Sequence, residues 1–263
     1  MHDTSSPKLV CAMVQADTRW ADPAANRANL ERLMDTAPGC NLYVLPETCT
    51  TGFLGDSGPS VESTGEDDLN WLRAEASRRS AAIAGSIVVA EGGRIFNRFL
   101  LVRPQGEVTG YDKRHLFGWG GEDSRYTAGT RRVRAQWLGW RIDLQICYDL
   151  RFPVWCRNDD AFDLQIFVAN WPRPRVEAWS TLLRARAIEN QAFVIGLNRV
   201  GIDGKGVEYP GRSGAWDALG TSILEADERE RVDVVELDLD RLAELRRKFP
   251  FLSDRDRFEL ESD

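Results

Sequence analysis

The sequence predicts a single α/β domain in which buried strands lie between layers of helices. Short apolar runs of strand length alternate along the chain with amphipathic runs of helix length, which is the pattern of an α/β fold. No repeat, low-complexity tract or linker interrupts this alternation, and 263 residues suit one large domain with a sizeable core. We therefore expect one domain over residues 1–263, with a loose N-terminus at residues 1–7 and a C-terminal helix and tail at residues 239–263.

In the first half of the chain, apolar runs predict strands at residues 9–15, 42–45, 82–90, 96–103 and 107–111. Asp22-Pro23 predicts the start of a helix, because Asp is a good N-cap and Pro suits the first helical position. Leu30, Leu33 and Met34 give this helix an apolar face, and residues 66–79 form a second predicted helix. Gly92-Gly93 is the expected turn between two of the strands.

In the second half, strands are predicted at residues 141–147, 163–169 and 193–198. Residues 176–190 form a predicted helix between the last two, because their apolar side chains recur with a period of about 3.6 residues. The chain closes with predicted strands at residues 223–225 and 232–237 and a charged helix at residues 239–249. Strands as apolar as these are expected to be buried between helical layers.

Composition excludes several functional classes. Lys and Arg total 34 and Asp and Glu total 41, so the net charge of −7 argues against a general affinity for nucleic acid. His2 and His115 are the only histidines, which excludes a zinc site built on several histidines. Neither GxGxxG nor GxxxxGK[ST] occurs, so a nucleotide-binding module is not indicated. We expect neither a metal nor an organic cofactor.

The cysteines and the hydropathy pattern indicate the cellular compartment. Cys11, Cys40, Cys49, Cys147 and Cys156 form no CxxC pair and are odd in number, which favours free thiols in a reducing compartment. The first residues show no secretory signal, and no apolar run reaches the roughly 20 residues that span a bilayer. The cytoplasm is therefore the expected location.

Reactive side chains follow the ends of three predicted strands. Glu47 comes after the strand at 42–45, Lys113 after the run at 107–111, and Cys147 ends the strand at 141–147. Functional groups gather at the carboxyl ends of buried strands in layered α/β folds. A cysteine in such a place is also a common small core residue, and Glu47 and Lys113 are also compatible with plain surface charges.

A cysteine, a lysine and a glutamate together make a nucleophilic set. The attacking species is a thiolate, which a nearby ammonium favours by lowering the thiol pKa. A carboxylate takes the thiol proton and later gives one to a leaving amine. The ammonium and the backbone N–H after the cysteine can hold the oxyanion of a tetrahedral intermediate.

The local motifs around these residues point to a known family. Glu47 closes Leu-Pro-Glu, Lys113 lies in Tyr-Asp-Lys-Arg-His-Leu-Phe, and Cys147 opens Cys-Tyr-Asp-Leu-Arg-Phe-Pro, in that order. Together they resemble the nitrilase (carbon–nitrogen hydrolase) superfamily, whose catalytic Glu, Lys and Cys lie in these contexts. The resemblance covers almost the whole chain, from the first strand to the Arg-Arg-Lys-Phe-Pro-Phe-Leu tail.

The resemblance implies a fold and a set of roles. The fold would be a four-layer α-β-β-α sandwich, and family members usually pair through a helical face, so a homodimer or higher homo-oligomer is implied. Cys147 would be the nucleophile, Glu47 the general base and Lys113 the stabiliser of the tetrahedral intermediate. The backbone N–H of Tyr148 would complete the oxyanion hole. Glu122 matches a second glutamate that positions the others, although a solvated loop acid is the alternative.

Further motifs resemble the bacterial omega-amidases, which hydrolyse the terminal amide of 2-oxo-acid amides such as 2-oxoglutaramate and 2-oxosuccinamate. These motifs are Asp-Lys-Arg-His-Leu-Phe, Cys-Tyr-Asp-Leu-Arg-Phe-Pro-Val-Trp, Ala-Asn-Trp-Pro and Arg-Ala-Ile-Glu-Asn-Gln. Such substrates contain a carboxylate, and Arg151 is the candidate partner because guanidinium binds carboxylate bidentately. An internal acid or carbonyl is an equally open partner for Arg151. Trp171 and Trp119 are candidate pocket walls or core residues.

Two positions depart from the pattern of many relatives. Val154 occupies the place where many have Glu, as in the omega-amidase-like branch. Arg212 stands where His is common, as a second anion contact or an exposed loop charge.

Other functions remain open at this stage. A nitrilase, or an amidase for N-carbamoyl amino acids or a deaminated peptide, would use the same three residues. A redox-sensing protein would use Cys147 or Cys156 instead. A dyad of Cys147 with His115 is a further alternative, because His115 lies two residues from Lys113.

Overall fold

The computed structural model describes residues 8–55, 64–160 and 162–260. Within these described ranges there are four α-helices and fourteen strands, and short 3-10 turns connect several of them. The helices are α1 (Pro23–Met34), α2 (Thr64–Arg79), α3 (Val176–Asn190) and α4 (Leu239–Lys248). The strands are β1 (Leu9–Gln15), β2 (Leu42–Val44), β3 (Ala82–Glu91), β4 (Arg94–Val102), β5 (Val108–Asp112), β6 (Arg134–Trp137), β7 (Trp140–Ile146), β8 (Leu164–Ala169), β9 (Phe193–Asn198), β10 (Val200–Ile202), β11 (Glu208–Pro210), β12 (Gly214–Trp216), β13 (Ser222–Glu225) and β14 (Arg231–Leu237).

Two six-stranded mixed sheets form the centre of the molecule. The first has the order β14-β1-β2-β3-β4-β5 and the second the order β13-β12-β9-β8-β7-β6. In each sheet three neighbouring strands are parallel, β1-β2-β3 in the first and β7-β8-β9 in the second, and the outer strands are antiparallel. The parallel strands bring their carboxyl ends to one edge of each sheet, which is where the reactive side chains follow them.

Alternation along β1 shows how the layers pack. Leu9, Cys11 and Met13 lie in a core shared with the second sheet, whereas Ala12 and Val14 pack with α1 and α2. Successive strand side chains point to opposite faces, so one strand contributes to both cores. The result is helices, sheet, sheet and helix, the expected four-layer sandwich in one domain.

On the outer face of the second sheet, α3 lies so close that a side chain would not fit beneath it. A Cβ at Gly196 of β9 would be 2.2 Å from Leu183 Cδ1 and 3.0 Å from the Trp179 ring. Trp179 and Leu183 are fully buried. Gly196 therefore permits the helix to approach the sheet closely.

Most predicted elements are confirmed within two residues, and the strands at 9–15 and 193–198 and the helix at 176–190 match to the residue. Asp22 caps α1 by accepting a hydrogen bond from the Ala25 backbone at 3.0 Å. Gly92 and Gly93 both have positive φ, as their turn requires.

The sequence analysis missed β6, β10, β11 and β12, which are three or four residues long and have no clear apolar alternation. The expected loose N-terminus at residues 1–7 lies outside the described residues. No helix in the described part of the chain is long and apolar enough to span a membrane.

Candidate active site

The reactive residues meet at the carboxyl-end edge of the two sheets. Glu47 follows β2, Lys113 follows β5, Cys147 follows β7 directly and Asn170 follows β8 directly. Hydrogen bonds and close contacts link these groups, although they are up to 123 residues apart in sequence. The structure thus brings together Glu47, Lys113 and Cys147, as the strand-end argument expects.

Cys147 begins a 3-10 turn rather than ending the strand, so the predicted strand at 141–147 is displaced by one residue from the observed β7. Its φ is +45°, in the left-handed region that is costly for a residue with a Cβ. The turn lifts the side chain out of the sheet, where it is half-buried beside the Asn170 carbonyl at a distance of 3.9 Å from Sγ. This geometry excludes the alternative of an ordinary core cysteine.

The Glu47 side chain is fully buried, and both of its carboxylate oxygens accept hydrogen bonds. Oε1 accepts from Lys113 Nζ at 2.8 Å and from Asn97 Nδ2 at 2.8 Å. Oε2 accepts from the Asn170 backbone N–H at 2.7 Å and from Asn170 Nδ2 at 3.1 Å. Four donors therefore fix the carboxylate in one orientation, and it is not a surface charge.

Glu122 is also fully buried, and it binds the other side of the Lys113 ammonium. Its oxygens accept from Lys113 Nζ at 3.0 and 2.8 Å, and Oε2 also accepts from the Phe117 backbone N–H at 2.7 Å. The Lys113 side chain is only 1% exposed. These contacts exclude a solvated loop position for Glu122 and a surface position for Lys113.

The charges of this cluster depend on each other. Burial lowers the pKa of Lys113, but the carboxylates of Glu122 and Glu47 outweigh it and hold the pKa well above its usual value. Burial raises the pKa of Glu122, and the Lys113 ammonium opposes that rise. Lys113 is therefore a permanent cation at neutral pH, as an electrostatic stabiliser must be.

The environment of Cys147 raises the pKa of its thiol well above the usual value. Burial is the largest cause and the Glu47 carboxylate the next, while the Lys113 ammonium acts in the opposite direction. The expectation that the ammonium lowers the thiol pKa overall is therefore wrong for the resting site, because burial and two neighbouring carboxylates outweigh one cation. The raised pKa means that the resting thiol keeps its proton at neutral pH.

Asp149 connects the segment of Cys147 to the segment of Lys113. Its buried carboxylate accepts hydrogen bonds from the Ile146 backbone at 3.0 Å, from the Tyr111 hydroxyl at 2.8 Å and from the His115 backbone at 3.0 Å. His115 Nδ1 also lies 2.8 Å from Asp149 Oδ1, and its ring stacks on Phe152. His115 thus has a structural partner in Asp149, which disfavours the Cys147–His115 dyad.

A cavity of about 290 Å³ opens directly above the thiol. Lys113 and Cys147 lie in its wall together with the predicted binding residues Tyr148, Arg151, Trp171 and Trp119. Trp171 is buried, whereas Trp119 is 85% exposed, so the first lines the interior and the second stands at the mouth. The cavity has the size of a small-molecule site.

Arg151 is exposed, and its guanidinium carbon lies 5.1 Å from the centre of the Trp171 ring. Within residues 8–55, 64–160 and 162–260 it has no ion-pair partner, so the internal-acid alternative finds no support. Arg212 is exposed and does not line this cavity, and Val154 is also exposed.

Cys156 is fully buried, and its Sγ lies 3.1 Å from the Asp149 carbonyl oxygen. Burial raises the pKa of this thiol well above its usual value. Redox-sensing cysteines have low pKa values and accessible sulfurs, so these features disfavour a redox role.

Four residues that contribute to the site were missed in the sequence analysis: Asn97, Asp149, Asn170 and Arg175. Asn170 follows a buried strand directly, so the strand-end rule that selected Cys147 would also have found it. Asn97 lies inside β4 and Arg175 precedes α3, and neither position has a local signal in the sequence. Among the described residues there is no cluster of three or more His, Cys, Asp and Glu side chains that would hold a metal.

Sequence comparison shows that the chain is similar to known carbon–nitrogen hydrolases over nearly its whole length. Residues 11–247 match the family model described as carbon–nitrogen hydrolase. The chain is 46% identical to omega-amidase YafV of Escherichia coli strain K12 over 257 residues, which cover 97% of this chain and 99% of the relative. It is 30% identical to the 2-oxoglutaramate amidase of Bacillus subtilis strain 168 over 253 residues, covering 94% of this chain and 97% of the relative.

A solved structure is similar over the same length. The CN-hydrolase superfamily protein XC1258 from Xanthomonas campestris superimposes with a TM-score of 0.91 at 44% identity, covering 97% of this chain and 100% of the other. That crystal structure has an arsenic adduct in its active site.

Proposed function

The chain belongs to the carbon–nitrogen hydrolase family and is an omega-amidase-like enzyme, and we propose that it releases ammonia from the terminal amide of small carboxylate-bearing substrates of the 2-oxoglutaramate and 2-oxosuccinamate type. Relatives described as omega-amidase and 2-oxoglutaramate amidase support amide hydrolysis by this chain.

The single observation behind the mechanism is the buried contact of Glu47 with Lys113, beside the thiol of Cys147. The base and the cation are buried, and the cation and the nucleophile line one cavity. Pre-organised charges of this kind stabilise a transition state without reorganising when the reaction occurs.

In the first half-reaction, Sγ of Cys147 attacks the amide carbon while Glu47 accepts the thiol proton. The carbonyl oxygen becomes an oxyanion, which the Lys113 ammonium and the Tyr148 backbone N–H stabilise. Tyr148 is the second residue of the 3-10 turn, where backbone N–H groups have no partner within the turn. The C–N bond then breaks, Glu47 returns the proton to the nitrogen, and ammonia leaves a thioester on Cys147.

In the second half-reaction, Glu47 takes a proton from water, and the hydroxide oxygen attacks the thioester carbon. The same cation and backbone N–H stabilise the second oxyanion. The C–S bond breaks, the thiolate recovers its proton from Glu47, and the carboxylic acid leaves. Glu122 acts through Lys113. Both oxygens of the Glu122 carboxylate bind the ammonium on one side, and Oε1 of Glu47 binds it on the other.

The substrate carboxylate is assigned to the cationic side of the cavity. Arg151 lines the cavity with its guanidinium over the Trp171 ring, which leaves the N–H donors at the guanidinium edge available. A nitrile substrate would begin with the same thiolate attack, but it has no need of this cation.

Ammonia release tests the proposal, with 2-oxoglutaramate, glutamine and a short aliphatic nitrile as substrates and Cys147→Ala as the blank. We expect release from the 2-oxo-acid amide only, and none from the variant. Release only from the nitrile would overturn the amidase assignment while keeping the three catalytic residues.

Arg151→Ala tests the proposed partner of the substrate carboxylate. The variant should hydrolyse 2-oxoglutaramate more slowly and an uncharged amide as fast as the wild type does. Equal losses on both substrates would remove the proposed role of Arg151.

The proposal also includes assembly as a homodimer or higher homo-oligomer in the cytoplasm. Ile188 of α3 and Leu219 are each about half exposed. Gly220, the residue after Leu219, lies against the Ile188 side chain, so Ile188 and Leu219 belong to one exposed apolar surface. Light scattering after gel filtration measures the mass, and a monomer at micromolar concentration would contradict the proposed assembly.

A further inference from the structure

A second arginine lines the same cavity. Arg175 is the residue before α3, and its guanidinium carbon lies 5.1 Å from the centre of the Phe117 ring and 5.6 Å from that of Trp119. Its backbone carbonyl accepts a hydrogen bond from Trp171 Nε1 at 2.7 Å. The backbone and the side chain of Arg175 are therefore both held at the cavity wall.

Trp171 positions both arginines of the cavity. Its ring lies beneath the Arg151 guanidinium, and its indole N–H fixes the backbone of Arg175. A guanidinium stacked over an aromatic ring keeps its in-plane N–H donors free for a planar anion such as carboxylate. The two cations thus reach the cavity with donors exposed.

Neither cation is neutralised by the described part of the chain. No described acid forms an ion pair with Arg151 or Arg175, and no described group accepts a hydrogen bond from either guanidinium. Asp203 is the acid in the cavity wall, and its carboxylate already accepts from the Lys205 and Val207 backbones and from the Tyr209 hydroxyl. The charge at this wall is left for a ligand.

The neighbouring arginine shows that unpaired cations are not the rule on this surface. Arg173, two residues before Arg175, is exposed to a similar degree but pairs with Glu208 at 2.7 Å and with Glu228 at 2.7 Å. In a chain with a net charge of −7, acids are abundant enough to neutralise a surface arginine. Among the described residues, Arg175 at the cavity has no acidic partner, whereas Arg173 outside the cavity has two.

We propose that Arg175 and Arg151 together form the carboxylate-binding site, and that Arg175 is a specificity-determining residue selecting substrates with an anionic end. The inference rests on the proposed function, since it names the group that recognises the far end of the substrate. A cavity of about 290 Å³ accommodates such a molecule. The amide carbon and carboxylate carbon of an extended five-carbon chain lie about 5 Å apart, so both ends fit within one small cavity.

A pair of alkylating reagents tests the cationic site independently of turnover. Iodoacetate and iodoacetamide both react by displacement of iodide by the Cys147 thiolate, with a new S–C bond, and they differ in one charged end. We expect the rate with iodoacetate divided by the rate with iodoacetamide at Cys147 to fall about tenfold in Arg175→Gln, which is the effect of losing one charge-assisted hydrogen bond. Arg175→Lys should keep part of the ratio, and the matched control Arg173→Gln should keep all of it.

Peptide mass spectrometry assigns the alkylation to Cys147, since the other four cysteines are buried. An unchanged ratio in Arg175→Gln would overturn the inference, as would an equal fall in Arg173→Gln. A loss of packing would slow both reagents alike and leave the ratio unchanged, so a purely structural role does not give the expected result.

Steady-state kinetics separates this inference from the proposed function. If the wild type hydrolyses 2-oxoglutaramate, Arg175→Gln should raise KM for it about tenfold and leave an uncharged amide of equal length within about twofold. If the wild type hydrolyses neither, the proposed function fails, and the alkylation ratio still decides the role of Arg175.

Discussion

Beneath the cavity, a buried cluster that we call the floor consists of Lys113 and the two carboxylates bonded to it, Glu47 and Glu122. At the mouth of the cavity, Arg151 and Arg175 lie over aromatic rings without described acid partners. Burying charges costs several kcal/mol per ion, so a buried cluster is a poor source of stability. In the proposed function, the floor supplies fixed charges for the chemistry and the mouth supplies free charges for recognition of the substrate. Substitutions in the floor should change kcat by orders of magnitude, and those at the mouth should change selectivity.

The largest effect is expected at the nucleophile. Cys147→Ala should reduce ammonia release by about 10⁴-fold or more, because in the proposed mechanism no other group forms the covalent intermediate. Circular dichroism should show an intact fold, since losing one sulfur atom is a small change at a half-buried position. Cys156→Ala is the matched control, because it removes a buried thiol that the mechanism does not use, and activity should stay within a few-fold of the wild type.

If Cys156→Ala reduced ammonia release more than Cys147→Ala did, the account would be contradicted and a redox role for these cysteines would have to be considered again. It would also mean that the floor is organised around a different sulfur from the one beside Glu47.

The next effect concerns the base and gives a pH dependence. Glu47→Gln should reduce turnover about 10³-fold, since a neutral amide does not accept the thiol proton. The pKa of Cys147 is raised partly by Glu47, so removing that negative charge should lower it. The wild-type thiol becomes a thiolate only as pH rises through its raised pKa, and in the variant this transition should occur at lower pH.

The rate of iodoacetamide reaction at Cys147 as a function of pH measures this shift. The variant should alkylate faster than the wild type near neutral pH although it turns over more slowly. Glu244→Gln, an exposed change on α4, serves as the control and should leave the profile unchanged. A midpoint that stays in place or moves to higher pH in Glu47→Gln would show that Glu47 does not control the thiol.

Removal of the floor cation should have a smaller but still large effect. Lys113→Ala should reduce kcat about 10²- to 10³-fold and change KM only a few-fold, because the ammonium acts on the oxyanion of the transition state. The variant leaves two buried carboxylates adjacent, so its unfolding midpoint must be compared with that of Lys113→Arg, which keeps the charge. A raised KM with unchanged kcat would instead make Lys113 a substrate-binding residue.

The smallest effect is expected at the edge of the mouth. Trp119 is 85% exposed, so Trp119→Ala should leave the fold intact and raise KM about two- to fivefold through lost contact with substrate and with Arg175. Turnover at saturating substrate should be unchanged. A fall in kcat as large as that of Lys113→Ala would abolish the distinction between floor and mouth.

The sequence was most informative where local chemistry determines structure. Asp22 capped its helix, Gly92 and Gly93 formed their turn, and the buried parallel strands were recognised by their continuous apolar residues. The short strand β12 pairs with β9, which precedes it in the chain across β10 and β11, and a local pattern does not show that contact. β10 and β11 form a hairpin of two three-residue strands, which are too short for a clear apolar alternation.

The floor of the site was more predictable than its surroundings. Glu47, Lys113 and Cys147 follow strand ends and lie in recognisable motifs, so both local and family patterns select them. Asn97 and Arg175 reach the site only through tertiary contacts, and the raised pKa of Cys147 depends on burial beside carboxylates from other parts of the chain. Such effects arise only when the sheets are assembled.

The central claim is that Cys147 forms a thioester with the acyl part of a carboxylate-bearing amide. The most direct measurement is an acid quench of the wild-type enzyme during turnover of 2-oxoglutaramate, followed by peptide mass spectrometry. The account predicts one acyl group, removable by hydroxylamine, on the peptide that contains Cys147 and absent from Cys147→Ala. Turnover with the acyl group on another residue would contradict it.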